Sequence, residues 1–328
     1  MIDVVRFHRT GGPEVLQIEQ SPAPRPGPGE VSITVEAIGL NRVESMFRSG
    51  GFGAPQFPST IGYEAAGRIQ ALGEGVEGWS VGERVATLPG LSMEQYGTCA
   101  EVILYPANML VRSPDNQSAV EAAATWMQYL TAYALVAVGR VAAGDTVVIT
   151  AASSSVGLAA IQIARAEGAV PIAVTRGRGK AQRLLEQGAA HVIVSDEQDV
   201  PATIMEITDG AGAALVFDAV GGQALAGLIG ALQPRGTVIL YGELGGTQAT
   251  LPLQPIMFHG LTLRGYAAYE LFLDPALREA AIDYIRNGLA SGKLQPLVDS
   301  TFPLAEVVEA YRYLEGNTQL GKIVLTVN

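Results

Sequence analysis

Small residues that follow a short apolar run are the first candidates for chemistry in this sequence. The run 147–149 leads into residues 151–155, and a stretch with helical spacing begins directly after them. Ala152 to Gly157 have the spacing of the fingerprint G-x-G-x-x-G, with only its last glycine present. Such a turn would bind a pyrophosphate at the positive end of the helix, although a structural turn without ligand is the alternative. The candidate phosphate contacts are Ser154, Ser155, Val156 and Gly157.

The segment after the next predicted strand indicates which nucleotide would bind. An acidic residue about 20 residues beyond the glycines usually binds the ribose 2′-OH of NAD. Here Thr175 is followed by three cations, Arg176, Arg178 and Lys180, with no acid among them. Because guanidinium and ammonium groups bind a 2′-phosphate, we predict NADP(H), with Thr175, Arg176 and Lys180 as contacts. A solvated basic loop is the alternative.

Alternating strands and helices would position these segments. Five apolar runs read as strands, at residues 147–149, 170–175, 191–194, 214–219 and 236–241. Helical stretches separate them at residues 179–187, 200–208 and 223–232. Short strand–helix alternation favours a doubly wound parallel sheet covered on both faces, which is a Rossmann nucleotide-binding domain of the α/β class.

Composition excludes several classes of function. The 328 residues are enough for two domains, and the formal net charge of −11 disfavours binding to nucleic acid or an anionic membrane. Cys99 is the only cysteine, so no internal disulfide forms. The N-terminal residues lack the apolar core of a signal peptide, and no run is long enough to cross a bilayer. We therefore expect a soluble cytoplasmic protein.

The first 120 residues have a different sequence pattern from the rest of the chain. Short alternating or β-branched runs are separated by glycine and proline turns, which is typical of an antiparallel β unit. These runs are 4–7, 15–18, 31–37, 65–72, 84–87 and 100–104. Residues 121–138 read as one helix that bridges to the nucleotide domain. Residues 275–290 and 304–315 are predicted helices, and residues 323–327 a last strand that returns to the N-terminal unit.

Several motifs together resemble the medium-chain dehydrogenase/reductase superfamily, in its zinc-free quinone oxidoreductase branch, similar to ζ-crystallin. They are GLNR at 39–42, GYEAAGRI at 62–69, VGERV at 81–85 and GKIVL at 321–325. The resemblance covers nearly the whole chain. It implies a GroES-like β-rich catalytic domain over 1–122, a Rossmann NADP(H)-binding domain over 123–266 and a C-terminal return to the catalytic domain over 267–328.

The resemblance also bears on zinc. Zinc-bearing relatives place a cysteine ligand where this chain has Asn41 and a histidine where it has Tyr63. A structural zinc lobe needs about four thiolates, and one cysteine cannot supply them. The three histidines lie far apart in the sequence and outside these motifs. We therefore expect no zinc, with Glu64 supporting the site after the loss of its metal partners.

Without a metal, the resemblance implies hydride transfer from NADPH to a small electrophilic acceptor, a quinone or an α,β-unsaturated carbonyl. Asn41 and Tyr63 are the candidate catalytic residues, since either could donate a hydrogen bond to the oxygen that gains charge. Asn41 could equally bond its own turn, and Tyr63 could simply pack. The candidate substrate pocket comprises Met46 and Phe52, which stand where quinone reductases often carry tyrosines, together with Tyr129 and Tyr266.

Further cofactor contacts follow only by resemblance. Thr131 matches a threonine near nicotinamide or phosphate, and Ser195 stands where relatives often place a tyrosine near the 2′-phosphate. Tyr241 and Gly242 would pass near the nicotinamide ribose. Lys322 would lie at the margin of the cleft, with a plain surface lysine as the alternative.

The sequence also suggests a way to form a dimer and leaves two alternative functions open. Residues 237–241 and 251–253 could pair edge to edge with a second subunit, giving a homodimer, or be covered by the chain's own loop. One alternative function is reduction of an acyl thioester enone. An enzyme with this function would need a cationic groove to bind the acyl carrier. Another is an NADPH-binding sensor without turnover, or an RNA-binding protein, which the acidic charge disfavours.

Overall fold

Alternating apolar residues in the N-terminal part of the chain form antiparallel strands. A computed structural model describes residues 1–114 and 116–327. Its first strands are β1 Ile2–Phe7, β2 Gln17–Ser21, β3 Glu30–Gly39, β4 Ser59–Thr60, β5 Glu64–Leu72, β6 Arg84–Thr87, β7 Val102–Pro106 and β8 Leu110–Arg112. The helices among them are α1 Arg42–Ser49, α2 Met93–Tyr96 and α3 Ala119–Ala122. Strands β2, β1 and β4 form a small sheet, and β3 pairs with both β5 and β7 in a larger one.

The apolar runs in the middle of the chain form one parallel sheet. Its strands are β9 Thr146–Ile149, β10 Val170–Thr175, β11 His191–Val194, β12 Ala213–Asp218, β13 Leu232–Leu240 and β14 Thr262–Gly265. Their order is β11-β10-β9-β12-β13-β14, and every pair is parallel. This order is that of a doubly wound dinucleotide-binding sheet, with the reversal of strand order between β9 and β12. The predicted α/β fold, a Rossmann sheet with a GroES-like β unit, is confirmed.

Helices accompany this sheet, and the predicted bridging helix is wrong. The helices are α4 Trp126–Ala132, α5 Ala134–Ala137, α6 Ser155–Ala166, α7 Ala181–Glu186, α8 Val200–Ile207, α9 Leu225–Gly230, α10 Leu253–His259, α11 Glu270–Leu273 and α12 Pro275–Ala290. Residues 121–138 thus belong to three short helices. At the start of α4, the backbone N–H of Met127 donates to Glu64 Oε2 over 2.9 Å, a contact that is distant in the sequence.

The C-terminal elements complete the larger antiparallel sheet. They are β15 Val298–Pro303, α13 Val307–Gly316 and β16 Lys322–Thr326. Strand β16 pairs antiparallel with β3, so that Val324 lies opposite Gly39. The seven strands of this sheet run in the order β15-β16-β3-β5-β6-β8, with β7 also on β3.

The chain divides into two compact units. One comprises Met1–Met127 together with the segment that starts at Pro296, and the other comprises Gln128–Gln295. Residues 267–295, which the sequence analysis grouped with the C-terminal return, therefore lie in the unit of the parallel sheet. Among the described residues, no helix is both long and apolar enough to span a membrane.

The predicted edge of the parallel sheet is also wrong. Strand β13, which contains residues 237–240, is an interior strand because β14 pairs along it from Thr237 to Leu240. The sequence analysis missed β14, which is only four residues long and largely exposed. Leu251 precedes α10 and Leu253 opens it, so residues 251–253 form no strand.

Candidate functional site

The first residues of α6, in the second unit, include the predicted phosphate contacts. Ser154 is the N-cap, and its Oγ accepts a hydrogen bond of 3.0 Å from the Gly157 N–H. The N–H groups of Ser155 and Val156 have no acceptor within the described parts of the chain. Free N–H groups at the positive end of a twelve-residue helix attract a phosphate.

Gly157 is required by the close approach of this helix to the preceding turn. A Cβ at this position would lie 2.6 Å from both the Cα and the carbonyl oxygen of Ala152. The turn itself includes Ala151 with φ of 46°. The surviving glycine of the fingerprint therefore serves close packing, while small residues fill the positions of its other two glycines.

The reversal of strand order in the parallel sheet places more polar groups near this turn. Thr150 follows β9 and donates a hydrogen bond of 2.5 Å to the buried Asp218 at the end of β12. Tyr241 follows β13, and its hydroxyl is buried with no hydrogen-bond partner among the described residues. Burial, and then the negative charge of Asp218, raise the pKa of Tyr241, so the phenol stays protonated and can donate. The next residue, Gly242, packs against Ala219, whose carbonyl oxygen a Cβ would meet at 2.7 Å.

The three cations after β10 have different surroundings. Arg178 forms an ion pair with Glu197, and Lys180 Nζ lies 3.2 Å from Ser153 Oγ in the phosphate turn. Arg176 is exposed and has no side-chain partner in the described residues. Ser195 N–H donates to the Thr175 carbonyl over 2.9 Å, so Ser195 lies beside the basic segment. Arg176 is thus the cation left available for a ligand.

The tyrosines predicted to line a substrate pocket make structural hydrogen bonds instead. Tyr129 is fully buried, and its hydroxyl lies 2.6 Å from Gln162 Oε1. The Tyr266 hydroxyl donates to the Leu130 carbonyl over 3.1 Å, and this residue is also buried. These hydrogen bonds favour the packing alternative for both tyrosines, and their place in a substrate pocket stays a prediction. Thr131, on the same helix as Tyr129, is 9 % exposed.

A buried ion pair dominates the first unit. Lys322 and Glu64 are each 1 % exposed, and the Lys322 ammonium donates to Glu64 Oε1. The same ammonium donates to Asn41 Oδ1 over 2.7 Å. Lys322 is therefore not a surface lysine, and its prediction as a cofactor contact stays untested. It is the internal cation of a buried polar cluster.

The Asn41 carboxamide is fully engaged by this cluster. Its Nδ2 donates to the Gly39 carbonyl over 3.1 Å and has Glu44 Oε1 and Glu64 Oε1 at 3.2 and 3.4 Å. Because Lys322 can only donate, its bond to Oδ1 fixes which end of the carboxamide carries the N–H groups. These contacts favour the alternative that Asn41 bonds its own turn, and its role as a donor to a substrate oxygen stays a prediction.

Glu44 is a second buried carboxylate in the same cluster. Its Oε2 accepts from the Asn41 N–H at 2.9 Å and from the Tyr311 hydroxyl at 2.7 Å, and its Oε1 accepts from the Tyr63 N–H at 3.0 Å. Burial raises the pKa of Glu44 against the opposing effect of these donors. The arrangement fixes the backbone at both predicted catalytic positions.

Tyr63 keeps a free hydroxyl. Its side chain is partly exposed, and the hydroxyl makes no hydrogen bond to any residue that the structure describes. Burial, and then the charge of Glu44, raise the pKa of Tyr63, so the phenol remains a proton-bearing donor. Of the two predicted catalytic residues, only Tyr63 has a donor to offer.

The two predicted apolar pocket residues lie together. The Met46 carbonyl accepts the N–H groups of Gly51 and Phe52, at 2.8 and 3.2 Å, where α1 ends. Phe52 is 48 % exposed, and Met46 is partly exposed. Their side chains offer an apolar surface close in sequence to Asn41.

Two family models match the chain. The model described as alcohol dehydrogenase GroES-like domain matches residues 27–115, and the one described as zinc-binding dehydrogenase matches residues 155–286. A quinone oxidoreductase of Pseudomonas aeruginosa is 31 % identical over 98 % of this chain and 98 % of its own length. The chain belongs to the quinone oxidoreductase branch of the medium-chain dehydrogenases/reductases.

Other members of this superfamily resemble the chain to the same degree. A 2-haloacrylate reductase of a Burkholderia species is 32 % identical, with 99 % of each chain covered. The crystal structure of an Escherichia coli quinone oxidoreductase complexed with NADPH superposes with a TM-score of 0.92 at 29 % identity and 99 % coverage of each chain. Within the described ranges of this medium-chain reductase, no three histidine, cysteine or acidic side chains form a metal-ligand group.

Sequence reasoning missed three residues of this medium-chain reductase's site. The spacing Asn41-x-x-Glu44 before a helix is a readable capping-box signal, and it would have found Glu44. Glu197 pairs with Arg178 because parallel neighbours β10 and β11 end side by side, which the predicted strands already implied. No local signal points to Tyr311, which reaches Glu44 from 267 residues away.

Proposed function

We propose that the chain is an NADPH-dependent reductase that transfers hydride to quinones or α,β-unsaturated carbonyls without zinc. Relatives named quinone oxidoreductase and 2-haloacrylate reductase, and a neighbour solved with NADPH, support this assignment. Both names describe conjugated, electron-poor acceptors.

One observation carries the cofactor assignment. The N–H groups of Ser155 and Val156 and the buried Tyr241 hydroxyl are donors without acceptors, and all three follow the carboxyl ends of parallel strands. Dinucleotides bind at this edge of such sheets, and phosphate oxygens would satisfy these donors. The unpaired guanidinium of Arg176, with Lys180 nearby, suits the 2′-phosphate that distinguishes NADPH from NADH.

When bound, NADPH supplies a hydride, and a proton from water completes the two-electron reduction of the acceptor. The chain's part is to bind, to orient and to stabilise the oxygen that gains charge. We assign that last role to the Tyr63 hydroxyl, the free donor among the predicted catalytic residues. Met46 and Phe52 would contact the apolar body of the acceptor.

We also propose that the reductase forms a homodimer through the edge of its parallel sheet. Strand β14 is the outermost strand there, and the backbone groups on its outer side are available for pairing. Leu253, Met257 and Phe258 of the adjacent helix α10 are 65 %, 67 % and 78 % exposed. A second copy would cover both the edge and this apolar surface.

Oxidation of NADPH by the purified protein tests the function. A simple quinone and a simple enone are offered in parallel, with NADH as the comparison and zinc measured in the same preparation by elemental analysis. We expect turnover with NADPH, little with NADH and no stoichiometric zinc. Tight NADPH binding without turnover of any acceptor would instead indicate a sensor, and one zinc per chain required for activity would overturn the metal-free assignment.

A further inference from the structure

The carboxylate of Glu197 lies among the cations that follow β10. Arg178 Nε lies 3.2 and 3.0 Å from the two oxygens of Glu197, and Arg178 Nη2 donates to Oε2. The Arg178 guanidinium, chiefly through this hydrogen bonding, holds the pKa of Glu197 below its usual range, so the carboxylate is charged at neutral pH. An acid that follows β11 therefore neutralises one of the three cations of the basic segment 176–180.

The backbone fixes this acid beside the basic segment. Strands β10 and β11 are parallel neighbours, and beyond their ends the Asp196 N–H donates to the Arg176 carbonyl over 3.2 Å. The next residue, Glu197, donates its N–H to the Val194 carbonyl over 3.0 Å, which closes a turn. A hydrogen-bonded backbone therefore presents the carboxylate to the cations.

The stability of the fold does not account for this ion pair. The side chain of Arg178 is 80 % exposed and that of Glu197 is 39 % exposed. Ion pairs in exposed positions contribute little to folding, because water and salt screen both charges. The effect of the pair is on the local charge, since three cations, Arg176, Arg178 and Lys180, are faced by two acids, Asp196 and Glu197.

We propose that Glu197 is a specificity-determining residue, which limits the preference for NADPH over NADH by neutralising Arg178. The inference rests on the proposed function, in which the basic segment binds the 2′-phosphate of NADPH. That phosphate adds about two negative charges at neutral pH, whereas NADH has a neutral hydroxyl at the same place. Glu197 repels the phosphate and occupies an arginine that could bind it, but it has no such effect on NADH.

The sign of the effect separates this role from a positioning role. If Glu197 served only to hold Arg178 in place for the phosphate, removing the carboxylate would weaken NADPH binding. If Glu197 limits the preference, removing the carboxylate strengthens NADPH binding. The Nε and Nη2 donors of Arg178 are then released, and they have the planar geometry that suits phosphate oxygens.

Cofactor binding by Glu197→Gln tests the proposal. The Kd values of NADPH and NADH are measured by fluorescence titration for the wild type, Glu197→Gln, Arg178→Gln and the double variant. We expect Glu197→Gln to bind NADPH at least about threefold more tightly than the wild type does, with the Kd of NADH unchanged. The gain should be smaller when Arg178 is already replaced. The matched control Glu186→Gln removes an equal charge from an exposed position of α7 and should bind both cofactors as the wild type does.

Ionic strength provides a second measurement. The gain of Glu197→Gln should shrink as the salt concentration rises from about 0.05 M to about 0.5 M, because the shorter Debye length screens exposed charges. Weaker or unchanged NADPH binding in Glu197→Gln, an equal gain for NADH, or a gain that does not depend on salt would overturn the proposal. A gain of full size in the Arg178→Gln background would overturn it as well.

The two proposals fail in different ways. If the wild type oxidises neither cofactor and Arg176→Gln leaves the binding of both unchanged, the proposed function is wrong. If the wild type oxidises NADPH and Arg176→Gln weakens NADPH binding selectively, but Glu197→Gln brings no gain, only the inference on Glu197 is wrong.

Discussion

The Tyr311 hydroxyl donates a hydrogen bond of 2.7 Å to Glu44 Oε2, across 267 residues of sequence. Both side chains are fully buried. Glu44 in turn accepts the backbone N–H groups of Asn41 and Tyr63. Helix α13 is thereby tied to both loops that carry the predicted catalytic residues.

Removing this hydroxyl should destabilise the first unit. Tyr311→Phe removes one hydrogen bond to the buried Glu44 carboxylate, which should lower the free energy of unfolding by about 1–3 kcal/mol. Chemical denaturation followed by circular dichroism measures it. Tyr313→Phe is the matched control on the same helix, since Tyr313 bonds the partly buried Asp299 and its loss should cost less. Equal costs would contradict the role of Glu44 as the centre of the cluster.

The pH dependence of stability should carry the signature of Glu44. Burial raises its pKa in the folded state, so folding favours the protonated form. The contribution of Glu44 protonation to the free energy of unfolding is therefore complete below the ordinary glutamate pKa of about 4.3. It is lost as pH rises through the folded-state pKa. The unfolding free energy of Glu44→Gln, measured from pH 4 upward, should lack this decrease. The exposed Glu309→Gln should follow the wild-type curve, and an identical slope in Glu44→Gln would refute the assignment.

Arg176 should determine the preference for NADPH over NADH. Arg176→Gln removes the unpaired cation after β10, and we expect the Kd of NADPH to rise about tenfold or more, or ~1.4 kcal/mol, with little change for NADH. Fluorescence titration measures both. The control Arg183→Gln removes an equal charge from the exposed face of α7. A similar loss for both cofactors would exclude Arg176 from a 2′-phosphate site.

Gly157 should tolerate no side chain. In Gly157→Ala the new Cβ would meet Ala152 at 2.6 Å, so α6 or the turn must shift, at about 1–3 kcal/mol of stability. NADPH binding should weaken with it. Gly230→Ala, where a Cβ has nothing within 4 Å, is the control and should be neutral. Unchanged melting of Gly157→Ala would contradict the close approach of α6 to Ala152, and reduced stability with unchanged NADPH binding would exclude this turn from the phosphate site.

Tyr63 should affect catalysis more than cofactor binding. Tyr63→Phe removes the free hydroxyl, and we expect kcat/KM for the acceptor to fall by about 10- to 100-fold with an unchanged Kd for NADPH. Steady-state kinetics measure kcat/KM for the acceptor, and a binding titration measures the Kd for NADPH. The exposed Tyr269→Phe should be silent. Unaltered kinetics in Tyr63→Phe would leave water as the donor to the reduced oxygen.

Local patterns were enough to predict the parallel sheet. Five of its six strands overlap the predicted apolar runs, which are short and separated by helical stretches, so the sequence determines their strand character. Strand β14 was not predicted because it has only four residues and is largely exposed, so it shows no apolar periodicity. Residues 121–138 have helical composition, but they form three short helices, and the start of α4 bonds to Glu64, 63 residues earlier.

The site was predicted less completely because its polar contacts are non-local. The turn before α6 follows from adjacent residues, and it opens a helix as the fingerprint predicts, while its binding of a phosphate stays a prediction. Lys322 looks like any surface lysine until β16 pairs with β3 and brings it to Glu64, 258 residues away. The donors of Asn41 are likewise taken up by partners that only the folded chain supplies.

The first unit is built from two segments of the chain that are separated by the second unit, and this has a consequence during synthesis. A ribosome makes residues 128–295 before strand β16 exists, so the parallel-sheet unit can fold while the other is still incomplete. Until β16 emerges, β3 lacks one neighbour and Glu64 lacks its counter-charge. During this interval the N-terminal segment has an unpaired strand side and a carboxylate without its ion pair, which are the features that favour wrong strand pairing in a growing chain.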